Sequence, residues 1–404
     1  MTAVVTGIGV WTSAGKGLDE FWKTVSASTV TLSELTRFDH STYPFTLAGQ
    51  LRDHGATGIP SRLIAQTDVW TRQGLEESLL ALDDAALDLA AVAEYDAGIA
   101  LASSAGGVEF GQREISALWA QGPQHVSAYQ SIAWFYAATT GQTSIHHRIR
   151  GQCDAVVAEG AGGLDALAVA DQALADGTSS IMLCGGTDSA LSPYGMVCQW
   201  SSGLLSGQTD HEKAYRPFHE KADGWVPGEG GAVLVAETPA AASARSAEPY
   251  GSLEGFGASF DPPPESDRSS SLPTAIDQAL TQAQVRPGEV DVVFADAAAV
   301  PDWDRAEAES LARVFGSRAV PVTAPKSGYG RLYSGGGAVD TATALLAMRY
   351  GVLPPTPNAP SAHPLLDLVC DAREGKFTTA LVVARGHGGF NSAVVLKAGA
   401  NTKR

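Results

Sequence analysis

"VVAEGAGGLDALAVA", residues 156–170, is the stretch on which the fold turns. Val156 and Val157 close an apolar strand. Gly160, Gly162 and Gly163 allow a tight turn. From Leu164 onward the residues are helix formers, with apolar positions at Leu164, Leu167 and Ala168. Strand, turn and helix in this order make an elbow. A helix N-terminus at such a turn offers free N–H groups and a positive dipole end to a thiolate or an oxyanion. Yet the turn holds Glu, Gly, Ala and Gly, with no Ser or Cys.

Outward from the elbow, apolar strands punctuated by glycine alternate with Ala/Leu-rich helices. Strands are expected at 3–9, 97–103, 154–158, 180–185, 230–236, 251–258, 290–295, 320–323, 379–385 and 392–397. Helices are expected at 18–27, 72–91, 108–120, 163–175, 273–284, 304–314 and 337–349. The segment 238–250, "TPAAASARSAEPY", reads as a linker or exposed connection. Residues 154–185 and 290–323 both run strand, turn, helix, strand. That echo points to a duplicated α/β fold.

The 404 residues are 44% apolar and carry a formal net charge of −17. Such a surface repels phosphate backbones and anionic lipid, so neither nucleic acid nor membrane is an expected partner. No apolar run is long enough for a membrane span, and the N-terminus enters a strand without signal-peptide features. Cys153, Cys184, Cys198 and Cys370 form no close-spaced pair, which predicts a reduced, cytoplasmic protein. His146 and His147, read on a strand, would face opposite ways with no further ligand at metal spacing. Neither a metal nor a cofactor is expected. "GIGVWTSAG" lacks the third glycine of a dinucleotide loop, which argues against a nucleotide-dependent oxidoreductase. No G-x-S-x-G hydrolase elbow occurs.

Residues 217–237, "PFHEKADGWVPGEGGAVLVAE", resemble the P-F-x-x-x-x-D-G-x-x-x-G-E-G segment of β-ketoacyl synthases. The resemblance extends to "TRFDHSTYPFTLAGQL" (36–51), "SAYQSIAWFYAATTGQTSIHH" (127–147), "PKSGYGRLYSGGGAVD" (325–340) and "RGHGGFNSAVVL" (385–396), and so spans the chain. It implies a thiolase-like fold, duplicated in five αβαβα layers, with a ketosynthase-like half at 1–240 and another at 251–404. It also implies dimerisation.

A condensing member of that family needs a Cys at the elbow to hold the acyl chain and two His residues to stabilise developing charge. Here those positions fall on Gly160, Asp296 and Arg331, while Glu307 and Lys326 remain at family positions. No other cysteine sits at a strand-to-helix turn beside a base. This pattern resembles the chain length factors, or ketosynthase β subunits, of aromatic type II polyketide synthases. These often carry Gln at position 160, linked to decarboxylation of malonyl carrier protein; Gly160 has no amide.

The resemblance implies a non-condensing subunit that pairs with a Cys-bearing ketosynthase as a heterodimer. It would shape the pocket for the growing poly-β-ketone chain and meet the acyl carrier protein only through the complex. An acidic carrier should dock on the partner rather than on a chain at −17. Gate positions carry over to Val108, Gly111 and Ile115, whose i, i+3, i+7 spacing puts them on one helix face. Spacing alone is also that of an ordinary packing face. Ile132 matches a position that reaches toward the partner's pocket, while Phe110 and Trp134 read equally well as core. Small side chains at the gate predict a long product, decaketide or longer. The alternative is a chain that itself decarboxylates or transfers malonyl groups to prime synthesis, with Glu159 or Asp296 contributing.

Overall fold

The computed structural model describes residues 2–52, 59–263 and 266–400. The strands that carry the architecture are β1 (Ala3–Thr12), β2 (Ala97–Ala102), β3 (Cys153–Val156), β4 (Ile181–Asp188), β5 (Gly230–Glu237), β6 (Gly251–Phe260), β7 (Val292–Phe294), β8 (Pro321–Thr323), β9 (Thr379–Gly386) and β10 (Phe390–Ala398). The main helices are α1 (Leu18–Ser26), α2 (Val69–Asp84), α3 (Val108–Gln121), α4 (Ala138–His147), α5 (Gly162–Ala175), α6 (Pro193–Trp200), α7 (Leu272–Ala283), α8 (Pro301–Phe315) and α9 (Ser334–Tyr350).

The strands hydrogen-bond into one continuous ladder with two topologically equal halves. In the first half the order is β1-β5-β4-β2-β3. Its pairings run antiparallel, antiparallel, parallel, parallel. In the second the order is β6-β10-β9-β7-β8, with the same sequence of pairings. Three residue pairs between β1 and β6 join the halves. The duplication is therefore present, but in a register other than the expected one. The unit β3-α5-β4 corresponds to β8-α9-β9, not to 290–323, which runs β7-α8-β8. A long segment, 351–378, separates α9 from β9, adds a two-residue edge strand at Asp367–Leu368 beside β8, and hides the true repeat from a spacing argument.

Five layers follow from which faces are apolar. β4, β5 and β9 are buried along their whole length, so both faces must be covered. Helices α5 and α9 lie between the half-sheets, α2 and α4 cover the outside of the first, and α7, with α8 against it, covers the second. α9 is buried nearly all round, as a central helix should be.

The differences from expectation have local causes. The helix expected over 72–91 starts earlier, where Asp68 caps it by accepting the Trp70 N–H. It stops at Asp84, two residues before left-handed Ala86. α4 and α6 were not anticipated; "ATTGQTSIHH" is poor in helix formers, and packing against α2 and the sheet overrides that preference. His146 and His147 consequently end a helix rather than lie on a strand, and burial lowers His147 to about 4. Cys153 begins β3 instead of preceding it, β3 ends at Val156, and Cys198 lies inside α6. Within 238–250, Pro239–Ala244 forms a short helix capped by Thr238, with Ala242 and Tyr250 buried. The glycines of "GIGVWTSAG" belong to β1 and its hairpin with Gly15–Lys16, so no phosphate loop forms there. Among the described residues no helix is long and apolar enough to cross a membrane.

Candidate functional site: a filled elbow and an open cavity

The elbow forms as expected, with a tight turn at Glu159–Ala161 running into α5. Glu159 takes a left-handed backbone, φ 47°. Its carboxylate accepts the His387 N–H at 2.7 Å, and its carbonyl accepts the Ser334 hydroxyl at 2.8 Å. Ser334 opens α9, so the two topologically equivalent turns are tied to each other. Burial raises the Glu159 carboxyl above its ordinary range, against the pull of Arg331.

Gly160 is packed shut. A β-carbon there would lie 2.3 Å from the Arg385 carbonyl oxygen and 3.0 Å from Arg331 Nη2. No real β-carbon contact is that short, so a side chain of any kind displaces its surroundings. The space is taken by the Arg385 carbonyl and by Arg331, which donates through Nη2 to that carbonyl at 2.6 Å and through Nη1 to Asp296 Oδ2 at 3.0 Å. Asp296 Oδ1 accepts the Arg385 N–H at 3.0 Å. The guanidinium also lies 4.8 Å from the centroid of the Trp225 ring.

The three positions named from the sequence therefore meet at one point. Asp296 and Arg331, 35 positions apart in the sequence, form a buried ion pair. Burial opposes ionisation of Asp296, but Arg331 and then Lys326 hold it below the ordinary carboxylate range. Below the pair, Glu307 accepts the N–H groups of Asp296 and Ala297 at 2.8 and 2.9 Å, which fixes the strand end. Lys326 pairs with buried Asp340, whose carboxyl burial raises to about 6. Arg385 was the missed member. Its side chain is spent on Asn391, the Trp303 carbonyl and Asp261. The opposite charges at 296 and 331 were the signal that could have suggested the pairing.

The second feature is a cavity of about 550 Å³ beside α3. Val108, Gly111 and Ile115 all line it, together with Trp134, Tyr194 and Gln130. Phe110 points the other way and is core, only 2% exposed. Ile132 is 44% exposed and is not in the cavity wall. The start of α3 is held firmly. Asp68 accepts the Phe110 N–H at 2.7 Å, and Arg37 bridges Glu109 and buried Glu229. A β-carbon on Gly111 would meet only Gln130 Nε2, at 3.7 Å, so the cavity is open at that point. Elsewhere on α3, in the 129–136 segment, on α4 and just after β3, large apolar groups are exposed, among them Trp119, Phe135, Ile145 and Val157. β3 is also the last strand of its half-sheet.

The chain matches the N-terminal domain of β-ketoacyl synthases over residues 2–241 and the C-terminal domain over 250–360. The chain belongs to the β-ketoacyl synthase family. It is 49% identical, over 98% of both chains, to the actinorhodin polyketide β-ketoacyl synthase 2 of Streptomyces coelicolor. It is equally identical, with the same coverage, to the tetracenomycin polyketide synthase ketoacyl synthase beta subunit of Streptomyces glaucescens. The solved ishigamide ketosynthase/chain length factor superposes with a TM-score of 0.90 at 23% identity, covering 98% of this chain and 99% of that one; it supports the fold. Within the β-ketoacyl synthases, the chain falls among the β-ketoacyl synthase 2, or ketoacyl synthase beta subunit, proteins of polyketide synthesis.

Proposed function

We propose that this chain is a non-condensing chain length factor, which pairs with a Cys-bearing ketosynthase and forms part of the wall around the growing poly-β-ketone. The observation that carries the reading is the occupied elbow. Acyl transfer needs a nucleophile at 160, and the Arg385 carbonyl, with the Arg331 guanidinium bound to it, stands where that group would be. What the fold retains is the cavity beside α3, together with exposed large apolar groups. Trp119 is 83% and Ile145 67% exposed, and a partner chain is one way to cover such groups. The edge of β3 adds unpaired backbone groups of the kind that another chain can cover. Pairing there would close the cavity against the ketosynthase and put the carrier protein on that partner.

Val108, Gly111 and Ile115 then act as the gate, and the space at Gly111 supports a product of decaketide length or longer. Glycine inside a helix costs about 1 kcal/mol relative to alanine, so its presence at 111 is consistent with a need for room. Priming by malonyl decarboxylation gains no support. Asp296 is bound by Arg331 and the Arg385 N–H, and Glu159 by the His387 N–H, which leaves neither carboxylate poised toward a substrate.

The test is the mass of the product formed from malonyl carrier protein by this chain alone, by the pair, and by the pair carrying Gly111→Phe. Long product from the pair only, shortened by Gly111→Phe, is expected. Product or decarboxylation by the chain alone would overturn the reading.

A further inference from the structure

The cavity wall beside α3 is mostly apolar, and two of its polar side chains are already engaged. Gln112 Oε1 accepts the Tyr194 N–H at 2.9 Å, and the Ser116 hydroxyl donates to the Gln112 carbonyl at 2.8 Å. Gln130 differs. Its Oε1 is shielded from water and has no hydrogen-bond partner among the described residues. Its Nε2 lies beside the gap left by the absent side chain of Gly111. The turn that carries it is fastened to α3, since Glu114 accepts the Ser127 N–H at 2.6 Å and the Ser127 carbonyl accepts the Gln130 N–H at 3.1 Å. With Oε1 shielded, the amide presents Nε2 to a mostly apolar cavity, and a donor placed there suits a ligand that carries an acceptor.

We propose that Gln130 is a specificity-determining residue, whose side-chain amide binds an oxygen of the poly-β-ketone in this cavity and so fixes the register of the chain against the gate. The inference rests on the chain length reading above. The chemistry matches on both sides. A poly-β-ketone carries an oxygen on every second carbon. It therefore offers acceptors to Nε2, which an apolar chain does not. Gly111 supplies the space and Gln130 the polar contact. One hydrogen bond per bound chain favours the register that makes it, whereas apolar walls alone allow the chain to slide.

The experiment uses the reconstituted pair with its carrier protein and reads product masses for wild type, Gln130→Met, Gln130→Asn and Gly111→Phe. Methionine keeps the length of glutamine and removes the amide. Gln130→Met should lower the ratio of full-length to shorter products about fivefold, the factor that one net hydrogen bond supports. Gln130→Asn should recover part of it. Affinity for the ketosynthase and melting temperature should not change. If Gly111→Phe shortens the product and Gln130→Met leaves the ratio unaltered, Gln130 is passive and the gate reading stands. A weaker pair with an unaltered ratio would make Gln130 a contact of the ketosynthase instead. If neither variant changes the product, the chain length reading fails with this one.

Discussion

Gly160→Cys puts a thiol at the elbow, and its outcome separates an empty site from a filled one. Gly160 does not adopt a positive φ, so a side chain brings no backbone strain. In an empty site the replacement would be neutral or would stabilise the chain by about 0.4–1 kcal/mol, through lost freedom of the unfolded state. In the structure the new β-carbon lands 2.3 Å from the Arg385 carbonyl oxygen, which is backbone and cannot swing aside, and 3.0 Å from Arg331. Overpacking of this kind costs about 1–3 kcal/mol. Displacing Arg331 from the Arg385 carbonyl loses a charge-assisted hydrogen bond, about 1.5–3 kcal/mol more. The expected loss is therefore about 3 kcal/mol or greater. With an unfolding entropy near 2.1 cal/mol/K per residue, that lowers the melting temperature of a chain this size by roughly 4 °C. Gly160→Cys/Arg331→His should not rescue it, because the closer contact remains. Calorimetry gives the shift, and iodoacetamide labelling mapped by peptide mass gives thiol access, with exposed Cys153 as the internal standard. A variant as stable as the parent whose Cys at 160 labels as fast as Cys153 would refute the filled-site argument.

Other outcomes follow from the same contacts. Asp296→Ala leaves Arg331 charged and buried without its carboxylate. The loss should be about 3–5 kcal/mol by urea denaturation, and Asp296→Ala/Arg331→Met, which removes both charges, should lose less than the single change. Burial raises the Asp68 carboxyl to about 7, against hydrogen bonds from Phe110 and Trp70. The folded chain thus keeps a proton that the unfolded chain releases near pH 4, so this group's contribution to stability falls as pH rises from about 4 to about 7 and is level above that. Asp68→Asn should flatten that part of the profile, read as the urea midpoint at pH 5 against pH 8. Ile145→Glu places a charge on the exposed apolar surface. It should leave the melting temperature of the lone chain unchanged within about 1 °C, since surface changes are small, and weaken pairing with the ketosynthase at least tenfold in a titration, the factor that follows from about 1.4 kcal/mol.

The strands and most helices were legible because their apolar periodicity is strong, and the elbow was legible because glycine, strand and helix signals coincide within fifteen residues. The 217–237 motif then brought Gly160, Asp296 and Arg331 into view as three positions of one site. The spacing of Val108, Gly111 and Ile115 placed them on one face without coordinates. What the sequence could not decide was how those residues meet. The register of the duplication is a property of strand pairing, and a segment of unequal length obscured it. Helices α4 and α6 exist because neighbours pack on them, not because their residues prefer to be helical. The Arg331–Asp296 pair joins residues 35 positions apart, and the contact that closes Gly160 comes from a backbone carbonyl at 385. Long-range contacts of that kind are set by the packing of two half-sheets around α5 and α9. Residue identity along the chain determined that the elbow carries glycine at 160; only the tertiary structure decided that the space beside it is filled.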